Sequence, residues 1–183
     1  LRETKSWRDQ LATRPIPEAT DVHLLETHDH FCVFEAKTSI PVLQSGVKPY
    51  KEVGSGVIQS TDDGRLVIQG EDTFHFTVSI PRGPMPAEGY PVLLYAAGAE
   101  GTARQVVDRT EESKNPDEGL GPTGMGPARF LTHRGIVAVG FPAPLAWERN
   151  PKPDSGGLLD FWNVGNLGSF RDVIRQGALD VTT

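Results

Sequence analysis

The stretch YPVLLYAAGAEG, Tyr90 to Gly101, decides the fold. Its centre, Val92 to Ala97, is a continuous apolar run ended by glycine, where a strand with one wet face would alternate. Such a run reads as a strand covered on both faces in a parallel sheet. A second run of the same kind, IVAVGF, covers Ile136 to Phe141. Between them, Gly126 to Arg134 reads as a helix carrying Phe130 and Leu131 and stopped by Gly135. Strand, long connection, helix and strand make a βαβ unit, so the expected fold class is α/β.

Upstream, residues 22–80 read as a β-rich leader. Phe31, Val33 and Glu35 alternate with Cys32, Phe34 and Ala36, and TFHFTVSI (Thr73 to Ile80) places Phe74, Phe76, Val78 and Ile80 on one face. Asp62-Asp63-Gly64, between Val57–Gln59 and Leu66–Ile68, predicts a hairpin turn. Residues 1–21 are polar and contain Pro15 and Pro17. With only Trp7 and Leu11 as anchors, they read as an arm or short helix on the surface.

Downstream, Pro81 to Pro91 is a Pro/Gly loop and Pro142 to Gly168 a long insertion. Ser169 is expected to cap a last helix whose apolar face is Phe170, Val173, Ile174, Gly177, Ala178 and Val181, with Asp172 as an acidic capping-box partner. No C-cap signal closes that helix before Thr183, and a parallel core of two strands exposes its edges. The expectation is therefore that residues 22–183 are the N-terminal part of one domain. The rest would come from the missing C-terminal half of the same protein or from a second chain carrying it.

Composition narrows the function classes. Eighteen basic residues against 24 acidic give a net charge of −6, with no basic cluster to neutralise a row of phosphates, so a nucleic-acid partner is not expected. No apolar stretch approaches the length of a membrane span. With 37% hydrophobic residues a core is affordable without metal or disulfide, and the single cysteine, Cys32, excludes an intrachain bridge.

Three stretches in order carry a resemblance. YPVLLYAAGAEG is similar to the strand and oxyanion turn of the α/β-hydrolase superfamily. HRGIVAVGFPAPLAWERNP (His133 to Pro151) resembles the following helix end, strand and active-site loop. NLGSFRDVIRQGALDV (Asn166 to Val181) resembles the helix before the nucleophile strand, and IPVLQSGVKPY (Ile40 to Tyr50) resembles the β-rich leader of the same bacterial, often exported, esterase- and lipase-like proteins. The resemblance implies a serine hydrolase of ester or amide bonds, on small-molecule or polymeric ester substrates, with no cofactor and with export favoured. It also implies that Gly98 turns the chain and that the backbone N–H of Ala99, with Glu100 as second candidate, meets the oxyanion. Two departures stand out. Ala97 occupies the position of the usual histidine, and no G-x-S-x-G elbow occurs, so nucleophile, acid and histidine are all expected outside this chain. The Ala97 departure keeps open a non-catalytic binding or scaffold protein on the same fold.

Other motifs read as structural. Asp154-Ser155-Gly156-Gly157 is similar to the serine motif of trypsin-like proteases, but Pro153 replaces the expected glycine and no double β-barrel pattern surrounds it. Gly119, Gly121 and Gly124 have dinucleotide-motif spacing without the flanking strand and helix. His28 and His30 share a strand face, with His23 as a conceivable third metal ligand, yet solvated histidines are the plainer reading, as are structural roles for His75 and His133. Asp160, Trp162, Glu148 and Arg149 lie in the insertion; they are candidates for substrate contact, with ordinary surface salt bridges expected first.

Overall fold

A computed structural model describes residues 2–99, 101–108, 123–152 and 157–182. The elements are α1 (Arg2–Leu11), β1 (Thr20–Thr27), β2 (Phe31–Val42), β3 (Gly70–Pro81), β4 (Val92–Ala96), α2 (Gln105–Asp108), α3 (Pro127–His133), β5 (Val137–Phe141), α4 (Gly157–Phe161) and α5 (Leu167–Asp180). One mixed five-stranded sheet has the order β1-β2-β3-β5-β4, so the class is α/β. The chain divides into two compact units, the first of residues 1–18, 38–74 and 143–183, the second of residues 19–37 and 75–142.

In the second unit, β5 runs antiparallel to β3 and parallel to β4, with Leu94 opposite Val139 and Ala96 opposite Phe141. The expected β-helix-β connection is thus present, with α2 as an additional short helix. α3 ends as read. Gly135 adopts φ +72°, its N–H donates to Thr132 O, and Ile136 N–H donates to Leu131 O, which is a Schellman closure. Phe31, Val33, Val106, Val107, Ala128 and Ala138 form the core of this unit. α2 and the segment leading into it approach β5 so closely that a Cβ on Gly140 would lie 2.2 Å from Ala103 O and 2.8 Å from Val106 Cγ1.

Two strand readings are corrected here. Among the described residues β4 is an edge strand and is not covered on both faces: Val92 and Leu94 are 60% and 50% exposed. An apolar run reports composition, and composition alone cannot distinguish a central strand from an apolar edge. On β3 the buried face does not stay with Phe74, Phe76, Val78 and Ile80. Phe74 is buried, but beyond it Thr77 and Ser79 are fully buried while Phe76, Val78 and Ile80 are half-buried.

The hydroxyls of Thr77 and Ser79 have no hydrogen-bond partner among the described residues. A buried hydroxyl without a partner loses its hydration for nothing. Thr77→Val and Ser79→Ala are each expected to raise stability by about 1 kcal/mol in urea denaturation. A loss of stability in both would show that these hydroxyls are satisfied in solution.

In the first unit, α1 carries Trp7 and Leu11 into a core with Leu43, Ile58 and Leu179. The two expected anchors are therefore core residues, 2% and 3% exposed, and residues 2–11 are a packed helix. The turn at Asp62-Asp63-Gly64 forms: Thr61 N–H donates to Arg65 O at 2.8 Å and Gly64 takes φ +79°. Its flanks make isolated bridges and not a full hairpin.

α5 departs from its reading in phase. Its N-cap is Asn166, whose side chain accepts from Ser169 N–H at 3.3 Å, so Ser169 lies one turn inside. The buried face is Ser169, Asp172, Val173, Gln176 and Leu179, whereas Ile174 is half exposed. Asp172 accepts from Ile58 N–H at 2.9 Å, and so is no capping-box partner. Gln176 accepts from Leu43 N–H at 2.8 Å and donates to Pro41 O at 3.0 Å. Polar side chains sit on the buried face because they satisfy backbone groups of residues 41–58 that no strand pairs. Apolar periodicity cannot register such a face.

Candidate active site

The parallel ladder of β4 and β5 closes with Ala97 N–H donating to Phe141 O at 3.2 Å, and Ala97 is buried. Gly98 then leaves the sheet, and Gly101 N–H donates back to Gly98 O at 2.9 Å. Gly98 to Gly101 is therefore a four-residue turn at the carboxyl end of a parallel strand, with Ala99 in its second position. The turn's own bond consumes the Gly101 donor, and no described residue accepts from Ala99 N–H. Glu100, the second candidate donor, lies outside the described residues.

Glycine is required in this turn at a position the sequence did not single out. A Cβ on Gly98 would meet nothing within 4 Å, while one on Gly101 would lie 2.5 Å from the Ala97 Cβ. Gly101 lets the chain fold back onto the strand end; Gly98 contributes no positive φ.

Behind the turn, α2 is held by an ionic cluster. Arg104 bridges Glu26 and Asp108, with Nε 2.9 Å from Asp108 Oδ2. Asp108 Oδ1 accepts from Gly124 N–H at 3.0 Å, and His28 Nε2 lies 2.9 Å from Glu26 Oε2. Burial works to raise the pKa of Glu26, but the hydrogen bond and charge of Arg104, with His28, outweigh it and hold the carboxyl below its ordinary value. The cluster fixes where α2, and hence the end of the turn, begins.

The remaining sequence candidates scatter. His28 stacks on Phe31 at 4.5 Å, His30 meets His133 edge-on at 5.2 Å, and His23 pairs with Asp21 O and Glu35. Among the described residues no group of three or more His, Cys, Asp or Glu could hold a metal ion. The Asp154-Ser155-Gly156 triplet and Gly119 and Gly121 lie outside the described residues; Gly124 packs under the His28 ring. Trp162 is half exposed and lies between Phe161, which it meets edge-on, and Phe170, which it meets at a tilt. Among the described residues no helix is long and apolar enough to cross a membrane.

Arg149 and Asp160 are not surface residues. Asp160 is buried and bonded to Asn150 at 2.8 Å and to Lys51. Arg149 is 2% exposed: Nε donates to Asp72 Oδ2 at 2.9 Å, Nη1 donates to Asp180 Oδ2 at 2.8 Å, and its guanidinium lies 4.6 Å from the Phe74 ring centroid. Lys48 Nζ completes the group, 2.8 Å from Asp72 Oδ2 and 3.1 Å from Arg149 O. Two cations face two carboxylates, and every charge is paired. The group lacks an activated nucleophile and ties β3, α5 and the 142–152 segment together. Sequence reading missed it because its members are far apart in the chain and each is an ordinary charged residue.

No family model and no curated protein matches this chain. Among solved structures it is similar to a putative acetyl xylan esterase from Bacteroides fragilis NCTC 9343, with a TM-score of 0.43 and 14% identity over 98% of this chain and 41% of that one. The chain thus spans about two-fifths of that protein's length.

Proposed function

We propose that this chain is part of a serine hydrolase cleaving ester or related acyl bonds, to which it supplies the oxyanion turn. Ala99 N–H is the donor, and the nucleophile, acid and histidine lie outside residues 1–183. On this reading residues 22–183 are the N-terminal part of one hydrolase domain. The supporting observation is the turn itself: it sits at the carboxyl end of a parallel strand and spends Gly101 N–H internally, while no described residue accepts from Ala99 N–H. Acyl transfer develops negative charge on the carbonyl oxygen, and a fixed backbone donor there is worth about 3–4 kcal/mol in the transition state.

The test uses the full gene product, a p-nitrophenyl acetate assay and a fluorophosphonate label. Turnover is expected, together with covalent labelling of one serine outside residues 1–183. A folded protein that neither turns over nor labels is the scaffold, and the hydrolase reading is then wrong.

A further inference from the structure

Tyr50 is 1% exposed, yet its bonds are made by its backbone: the carbonyl accepts from Asn163 and Asn166 Nδ2 at 2.8 and 3.0 Å, and the N–H donates to Val47 O at 2.8 Å. No described residue is hydrogen-bonded to its hydroxyl. A phenol O–H taken out of water needs a partner. Burial and the charge of Asp72 push its pKa above the ordinary phenol value, against the pull of Arg149, so the group keeps its proton and is a donor.

Tyr50 lines a small cavity together with Gln44, Lys48, Asp72, Leu145 and Arg149, all of the first unit. Asp72 is bonded on one side only. Its Oδ2 takes both cations, Arg149 Nε at 2.9 Å and Lys48 Nζ at 2.8 Å, while Oδ1 accepts from no described residue. A donor and an acceptor without protein partners thus belong to the walls of one cavity, and that cavity has room for about one water molecule. Charge narrows the occupant further. An anion would meet the Asp72 carboxylate, and a cation would meet Lys48 and Arg149. A neutral molecule that both accepts and donates fits the walls, and at this size it is water.

We infer that the cavity is a binding site for a single buried water, which accepts from Tyr50 Oη–H and donates to Asp72 Oδ1 and so completes the Lys48–Asp72–Arg149 cluster. Two residues of its wall, Tyr50 and Leu145, hold left-handed backbone at φ 60° and 62°. Non-glycine residues keep that conformation only where their surroundings fix it, and the water is one of the contacts that fix Tyr50.

The experiment pairs a crystal structure of the full gene product, at a resolution that shows waters, with thermal unfolding of Tyr50→Phe. Expected are one ordered water within about 3.2 Å of both Tyr50 Oη and Asp72 Oδ1, and a variant Tm lower than the parent's by ~2 °C or more. Phenylalanine keeps the ring but strips the water of one partner; removing a hydroxyl that bonded nothing would leave Tm unchanged or raise it. A dry cavity, a Tyr50 hydroxyl bonded directly to a protein group, or a Tyr50→Phe protein as stable as the parent overturns the inference. Neither measurement needs turnover, so the outcome is independent of the hydrolase reading.

Discussion

Replacing Ala99 by proline in the full gene product is expected to lower turnover of an aryl ester by ~100-fold or more while changing KM little. Proline deletes one backbone donor and nothing else of polar character. The position makes the test unusually clean. Gly101 N–H bonded to Gly98 O makes Ala99 the second residue of a four-residue turn, the place where the fixed φ of proline fits best. The preceding residue, Gly98, is the one least hindered by a following proline. The turn should therefore survive with its donor removed, and an unchanged circular dichroism spectrum checks that it has. A uniform loss of substrate binding would appear in KM; loss of a donor aimed at the oxyanion appears in kcat. A folded Ala99→Pro protein with parental turnover removes Ala99 from the site.

Much of the α/β framework was legible in the sequence because its signals are local. The Gly135 stop of α3, the turn at Asp63-Gly64 and the strand cores of β4 and β5 each depend on a few adjacent residues. What was not legible depends on partners distant in the chain. The edge position of β4 follows from strand order, which no apolar run encodes. The phase of α5 was misread because Asp172 and Gln176 face inward to bond Ile58, Leu43 and Pro41, more than a hundred residues away. Thr77 and Ser79 defeat the alternation of β3 for a related reason: the face that tertiary packing buries beyond Phe74 is not the face with the larger side chains.

The candidate site divides the same way. The strand exit itself could be read from Ala97-Gly98, yet the glycine that shapes the turn is Gly101, whose necessity arises from Ala97 and Gln105 folding toward it. A glycine's reason is a neighbour in space, and only a structure names that neighbour.

Arg149→Met is expected to destabilise the protein by about 3–5 kcal/mol at neutral pH, because it keeps the apolar stem, leaves the partly buried Asp72 to Lys48 and strips the buried Asp180 side chain of its paired guanidinium. The size comes from burial: Arg149 is 2% exposed and the Asp180 side chain equally hidden, so water cannot replace the lost guanidinium. The sign of the pH dependence follows from Asp180. Burial lifts its pKa above the ordinary value, with Arg149 pulling the other way. A carboxyl whose folded pKa is raised favours the folded state below the unfolded value, and that contribution is lost as pH rises through the folded value. Removing Arg149 lifts the folded value further. The deficit of the variant should therefore be largest at neutral pH and shrink as the solution is acidified and Asp180 takes a proton. Adding Asp180→Asn to Arg149→Met should recover part of the loss at neutral pH, a non-additivity that a double-mutant cycle reads directly. A deficit that is the same at every pH and simply additive with Asp180→Asn would mean that Arg149 acts through packing on Phe74 and not through its charge.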